Sequence, residues 1–180
     1  MNTIRALLLA VTVAALTLVG ACGSSSHPSS SPSAHPGSSP ASSGALKTFT
    51  STAFHFSVSY DPSSVKVAQT AKKGGLSVFT FAARSGKEYV RISAITVPDA
   101  AGMLNGEMTV MKSEGQVKPA SLAGMKGYTV AVPIAGYSEE QAAFVHGHEL
   151  FAVYVVFESN LASTWGPKLV AIEKSFRLTQ

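Results

Sequence analysis

Cysteine is almost missing from this chain: Cys22 is the only one in 180 residues. An internal disulfide is therefore excluded, and so are Cys-based metal sites and thiol chemistry beyond that one position. Charge is sparse, with 13% Asp, Glu, Lys and Arg and a formal net charge of +4. The basic residues are scattered, only Lys72 and Lys73 being adjacent, so the clustered basic face that nucleic-acid binding requires is not there. The chain also has no Gly-rich phosphate loop, no Gly-x-Ser-x-Gly elbow and no paired-carboxylate constellation. These absences point away from an enzyme and away from a bound cofactor.

What is present begins at the N-terminus. Residues 1–21 have the layout of a cleaved secretory signal: Arg5 supplies positive charge, an apolar stretch runs from Ala6 to about Val19, and small residues follow. That stretch is shorter than the roughly 20 residues that cross a bilayer as a helix. The five residues Leu18-Val19-Gly20-Ala21-Cys22 resemble the lipobox of bacterial lipoproteins. The resemblance implies that Cys22 becomes the first mature residue, carrying a thioether-linked diacylglyceryl group and often an N-acyl (palmitate) chain. Two or three acyl chains hold stably where one does not. The expected location is the outer, extracytoplasmic face of the cell membrane.

Residues 23–46 hold eleven Ser, four Pro, three Gly and three Ala, with no aromatic group and only His27 and His35 as titratable ones. No core can form from this composition, so residues 22–46 are read as the lipidated Cys and a disordered tether. Its root-mean-square span is about 25–30 Å. Its Ser and Pro content suits either O-glycans or a plain spacer.

Residues 47–180 have the size of one ordinary domain, enough to bury a single core. Ten Lys and three Arg face ten acidic residues there, a net charge of +3, which favours an anionic lipid surface over nucleic acid. Phe54, Phe56, Val58 and Tyr60 alternate with polar residues as in a strand with one buried face, ended by Asp61-Pro62. A short strand is expected at Val65–Ala68. Leu76–Ala83 and Lys87–Val97 read as an antiparallel pair joined at Arg84-Ser85-Gly86.

Pro98-Asp99 then caps a helix with Ala100, Met103, Leu104, Met108 and Met111 on one face, weakened by Gly102 and Gly106 and stopped by Gly115. Strands are expected again at Gly127–Pro133, Gln141–Val145 and Glu149–Glu158. In the last of these both faces are apolar, which marks a central strand covered on each side. A closing helix runs from Ser163 or Thr164 to Ser175, with Pro167 in its first turn and Trp165, Leu169, Ile172 and Phe176 as its stripe.

Three segments in this order carry a family resemblance. Phe54-His55-Phe56-Ser57-Val58-Ser59-Tyr60-Asp61-Pro62 resembles the F-x-F-x-Y-P opening of PsbP-like domains, found also in LpqN-type lipoproteins of mycobacteria and relatives. Ser121-Leu122-Ala123-Gly124-Met125-Lys126-Gly127-Tyr128 is similar to their l-x-G-x-x-g-y segment. Tyr154, Trp165 and Ala171-Ile172-Glu173-Lys174-Ser175-Phe176 resemble their closing strand and helix. An extra Asp61 between Tyr60 and Pro62 departs from the pattern. The resemblance implies a single α+β domain, an α-β-α sandwich around a mostly antiparallel sheet with the C-terminal helix packed on it. It implies an accessory or binding module with no shared active-site residues.

Four local patterns remain. His146-Gly147-His148-Glu149 places two His at i and i+2, able to ligate copper or zinc with His55 or Met sulfur, or simply to flank a hairpin turn. Met103, Met108 and Met111 offer soft thioethers, or core packing at helical spacing. Ser63-Ser64-Val65-Lys66 matches Ser-x-x-Lys, but the Ser-Asp-Asn and Lys-Thr-Gly partner motifs are missing. Phe151, Phe157, Trp165 and Phe176 can line an apolar ligand pocket or fill a core. The expectation is a non-catalytic module that binds an envelope protein or lipid. A carrier of a small hydrophobic ligand such as a lipid or glycolipid comes second, and a copper or zinc chaperone third.

Overall fold

The computed structural model describes residues 45–71 and 74–179; the signal, Cys22 and most of the tether lie outside them. The elements are β1 (Lys47–Ser51), β2 (Phe56–Tyr60), β3 (Val65–Ala71), β4 (Ser77–Ala83), β5 (Tyr89–Thr96), α1 (Ala100–Glu114), β6 (Lys118–Leu122), β7 (Met125–Ile134), β8 (Tyr137–His146), β9 (Glu149–Glu158), α2 (Ala162–Lys174) and β10 (Arg177–Leu178). Seven strands form one sheet in the order β3-β4-β5-β9-β8-β7-β6, and β1-β2-β10 form a second. Every pairing is antiparallel.

The central place of β9 follows from its two apolar faces. Phe151, Val153 and Val155 join one cluster with Phe56, Phe79, Phe81, Leu169 and Phe176. Leu150, Ala152 and Val156 point the opposite way by strand alternation and are also buried. Each fully buried side chain of this kind stabilises the fold by about 1.5–3 kcal/mol relative to exposure. Helix α1 packs on β7, β8 and β9, while α2 packs on β9, β5 and β2. Because Ala142 and Phe144 of β8 belong to the α2-side cluster and Ala143 to the α1-side cluster, the two helices cover opposite faces. The result is the expected α+β sandwich with the C-terminal helix packed on the sheet.

Several expectations need correction. The first aromatic strand starts at Phe56 rather than Phe54, because His55 has φ of 46° and breaks the extended run. Strands β1 and β6 were not foreseen from KTFTS and KPASL, and β3 runs three residues past Ala68, to Ala71. Pro167 is the sixth residue of a helix that begins at Ala162, after a 3-10 turn at Ser159–Leu161. It therefore removes an interior hydrogen bond rather than a first-turn one, and the carbonyl it deprives belongs to the exposed Ser163. Phe176 lies just past α2 and reaches the core from the turn into β10.

The cap of α1 is as read from the sequence: Asp99 Oδ1 accepts from Gly102 N at 2.8 Å. Gly102, expected only to weaken the helix, also leaves the space that this carboxylate occupies. Gly115 ends α1 with φ of 176°. Its lack of a side chain matters for closeness, since a Cβ there would meet Ala131 O at 2.8 Å and Val130 Cγ2 at 2.9 Å.

Candidate functional site

Two depressions follow one flank of α2. The larger, of about 390 Å³, lies among the β4–β5 hairpin, the end of β9 and the first turn of α2, and is lined by Arg84, Ser85, Lys87, Glu88, Glu158 and Trp165 with Ser64 and Leu161. The smaller, of about 230 Å³, lies further along α2 between Lys168, Ala171, Ile172 and Ser175 on one side and Leu46, Tyr60, Asp61 and Val65 on the other. Ser64 borders both. Together they form a groove whose larger part falls within the volume range of small-ligand sites.

The groove's polar rim is held by local turn chemistry. Gly86 adopts φ of 76° and donates to Ala83 O at 2.9 Å, closing the β4–β5 turn. That turn directs Glu88 inward, where it is only 2% exposed and accepts a hydrogen bond from Ser85 Oγ. Lys87 Nζ donates to Glu158 Oε1 at 2.7 Å. This hydrogen bond, with the charge of Glu158, raises the Lys87 pKa above its ordinary value. Lys168 Nζ sits 4.9 Å from the Trp165 ring centroid, a cation–π arrangement. At the other end, Ser63 and Ser64 hydroxyls both donate to Asp61, at 2.6 and 3.0 Å. These bonds, Ser63 first, hold the Asp61 carboxyl below its usual range.

A second polar cluster lies under α1. Arg91, Tyr154 and Gln141 are in register across β5, β9 and β8, with Tyr89, Val156 and Glu139 in the next row. The Arg91 guanidinium carbon lies 4.8 Å from the Tyr89 ring centroid. Gln141 Nε2 donates to Glu139 Oε1 at 2.8 Å. Burial raises the Glu114 carboxyl, and the charge of Glu139 adds to that; its Oε2 is buried with no hydrogen-bond partner. Burial likewise raises the Tyr154 and Tyr89 hydroxyls. This cluster opens onto neither depression.

The candidate residues from the sequence are distributed as follows. Phe151 and Phe176 are both 0% exposed and meet edge to face at 5.6 Å, so they fill the core and do not line open space. Phe157 is half-buried against Gly166, and of the four only Trp165 borders the groove. His146 and His148 flank the β8–β9 hairpin and are exposed. Gly147 takes φ of 57° there, the first-position pattern of a type II′ turn. His148 Nδ1 lies 3.2 Å from Pro98 O. His55 belongs to the β1–β2 connection of the other sheet. Among the described residues no group of three or more His, Cys, Asp or Glu is arranged to hold a metal ion.

Met111 packs with Val130 and Ala143, and Met103 and Met108 are half-buried. The Ser63 and Ser64 hydroxyls are directed to Asp61, while Lys66 is exposed on β3. Sequence reasoning missed Glu88 and Glu158 as groove residues. The Arg84-Ser85-Gly86 turn was the one signal that pointed to that place.

No protein-family model matches the sequence, and no curated protein matches it. Among solved structures, the chain is similar to cyanobacterial PsbP (CyanoP) from Synechocystis sp. PCC 6803, with a TM-score of 0.53 and 12% identity over 79% of this chain and 98% of that one. It is also similar to a protein from Bacteroides thetaiotaomicron VPI-5482, with a TM-score of 0.50 and 16% identity over 77% of this chain. It spans about half of that second protein, 49% of its length. At these identities the likeness concerns the fold, which is PsbP-like.

Proposed function

We propose that this protein is a lipid-anchored, extracytoplasmic binding module of the LpqN type. Cys22 carries the anchor, the Ser/Pro-rich segment is the tether, and the domain recognises another cell-envelope component without catalysing a reaction. The observation that carries the binding reading is the groove along α2. It offers a half-buried indole, hydroxyls and charged groups of both signs beside an apolar floor, which is the make-up of a recognition site. The non-catalytic reading draws support from Ser63 and Ser64, whose hydroxyls donate to Asp61, a carboxylate that these bonds hold below its usual range and so make a poor base for activating them.

The anchor is tested by growth with labelled palmitate. The wild-type chain is expected in the membrane fraction carrying label, and Cys22→Ala is expected to lose both; a Cys22→Ala protein that stays labelled and membrane-bound contradicts the proposal.

The smaller depression favours a second reading, a carrier of a small hydrophobic molecule, because Leu46, Tyr60, Val65 and Ile172 border it. Native mass spectrometry of the mature protein separates the two. A carrier retains an adduct of lipid mass, whereas a module for protein partners gives the unliganded mass.

A further inference from the structure

The two helices of the domain present different charges. Helix α1 and its cap bring three carboxylates, the exposed Asp99 and the half-buried Glu107 and Glu114, against one exposed cation, Lys112. The opposite side is formed by the small sheet and the outer face of α2. It carries Lys47 on β1, Lys168 and Lys174 on α2 and Arg177 on β10, all exposed. Two carboxylates on these elements, Asp61 and Glu173, are half-buried, and Asp61 is occupied by Ser63 and Ser64; a third, the exposed Glu140 on the same face of β8, lies near Glu173.

The same side carries Leu46, among the first described residues. Leu46 is 68% exposed, with Ile134 at 43% one of two exposed large apolar side chains among the described residues. It borders the depression that Lys168 and Ala171 also border. Trp165 lies on the same helix with Lys168 over its ring. An exposed Leu, a half-buried Trp and surrounding cations are the combination that settles at a lipid–water boundary.

We infer that this side is a membrane-docking face: the small sheet and the outer face of α2 rest on the anionic surface of the bilayer that holds the anchor. The inference rests on the anchor at Cys22. The tether alone would let the domain tumble within its span of about 25–30 Å. The four cations favour one orientation, each near-surface Lys or Arg contributing about fivefold in affinity for an anionic surface. Docking of this kind turns α1 away from the membrane and leaves the groove along α2 at the lipid–water boundary. A component presented by the membrane can reach it there.

The test uses the full lipidated protein in vesicles. Because Cys22 is blocked by its lipid, a single new thiol can be labelled with a fluorophore, at Ala171→Cys on α2 or at Thr109→Cys on α1, both exposed positions. Nitroxide-bearing lipid then reports which label is near the bilayer. In vesicles with about 30% phosphatidylglycerol, the α2 label should be quenched about threefold more than the α1 label. The difference should vanish in pure phosphatidylcholine, at about 0.5 M salt, and in Lys168→Glu/Lys174→Glu. Equal quenching of the two labels, stronger quenching at α1, or a difference that persists in neutral vesicles overturns the inference. Flotation with neutral vesicles reports the anchor separately. A protein that does not float sinks the anchor reading and the orientation with it; one that floats with equal quenching sinks the orientation alone.

Discussion

His55 sits between Phe54 and Phe56 of the opening motif in a left-handed conformation, φ 46°, while its carbonyl accepts from Thr179 N at 2.7 Å. A side chain with a Cβ is strained there and glycine is not. His55→Gly relieves about 1–2 kcal/mol of left-handed strain against about 0.5–1 kcal/mol of added chain entropy, so it is expected to raise stability by up to about 1 kcal/mol, and His55→Val to lower it; thermal unfolding of the two variants checks this. Glu114 gives a pH-dependent prediction. Burial and the neighbouring Glu139 raise its carboxyl. A group raised in the folded state contributes its full stability below the unfolded value and loses it as pH rises through the folded value. Glu114→Gln, neutral at every pH, is expected to raise the unfolding midpoint near about pH 7 and to change little near about pH 4. An equal shift at both pH values contradicts this. Asp99 was legible in the sequence because a cap is a local pattern. Glu88 and Glu139 were not, since nothing local tells that a glutamate faces inward; their burial is decided by strands and turns that meet only in the fold.

At the scale of elements, β9 and the turn after α2 carry the core. Phe176 stacks on Phe56 at 5.0 Å and 12° and meets Phe151 edge to face. Phe176→Ala is expected to cost about 3–5 kcal/mol and Phe176→Leu under about 1.5. Trp165→Ala, which opens the groove and leaves the centre intact, is expected to cost about half as much as Phe176→Ala and to keep the fold; denaturant midpoints and circular dichroism measure all three. If Trp165→Ala proves as costly as Phe176→Ala, the indole is core and not groove. The long elements were legible because periodicity accumulates along them: Glu149–Glu158 matched β9 end to end, and the Asp99 cap set the start of α1. The short edge strands β1 and β6 have five residues each, too few for alternation to stand out, and Pro119 speaks against a strand except at an edge. Of the expected pocket, Trp165 lines open space, while Phe151 and Phe176 meet across the core, a distinction that composition does not make.

For the whole molecule, the order of elements and the three resembling segments pointed to the PsbP-like sandwich, while the separation into two sheets did not emerge. β2 pairs with β1 and also with β10, the latter more than a hundred residues away, and β5 pairs with β9 across α1 and three strands. Such long-range pairings leave no mark on local pattern. The central claim is that the groove along α2 receives an envelope component while the protein is held at the membrane. The most direct measurement is photo-crosslinking in the native membrane, with a photoreactive amino acid placed in the full-length chain at Leu161 beside the groove, or at Thr109 on α1. The account predicts a discrete adduct from Leu161 that is missing from Thr109 and lost in Trp165→Ala. No adduct from Leu161, or the same adduct from both positions, would contradict it.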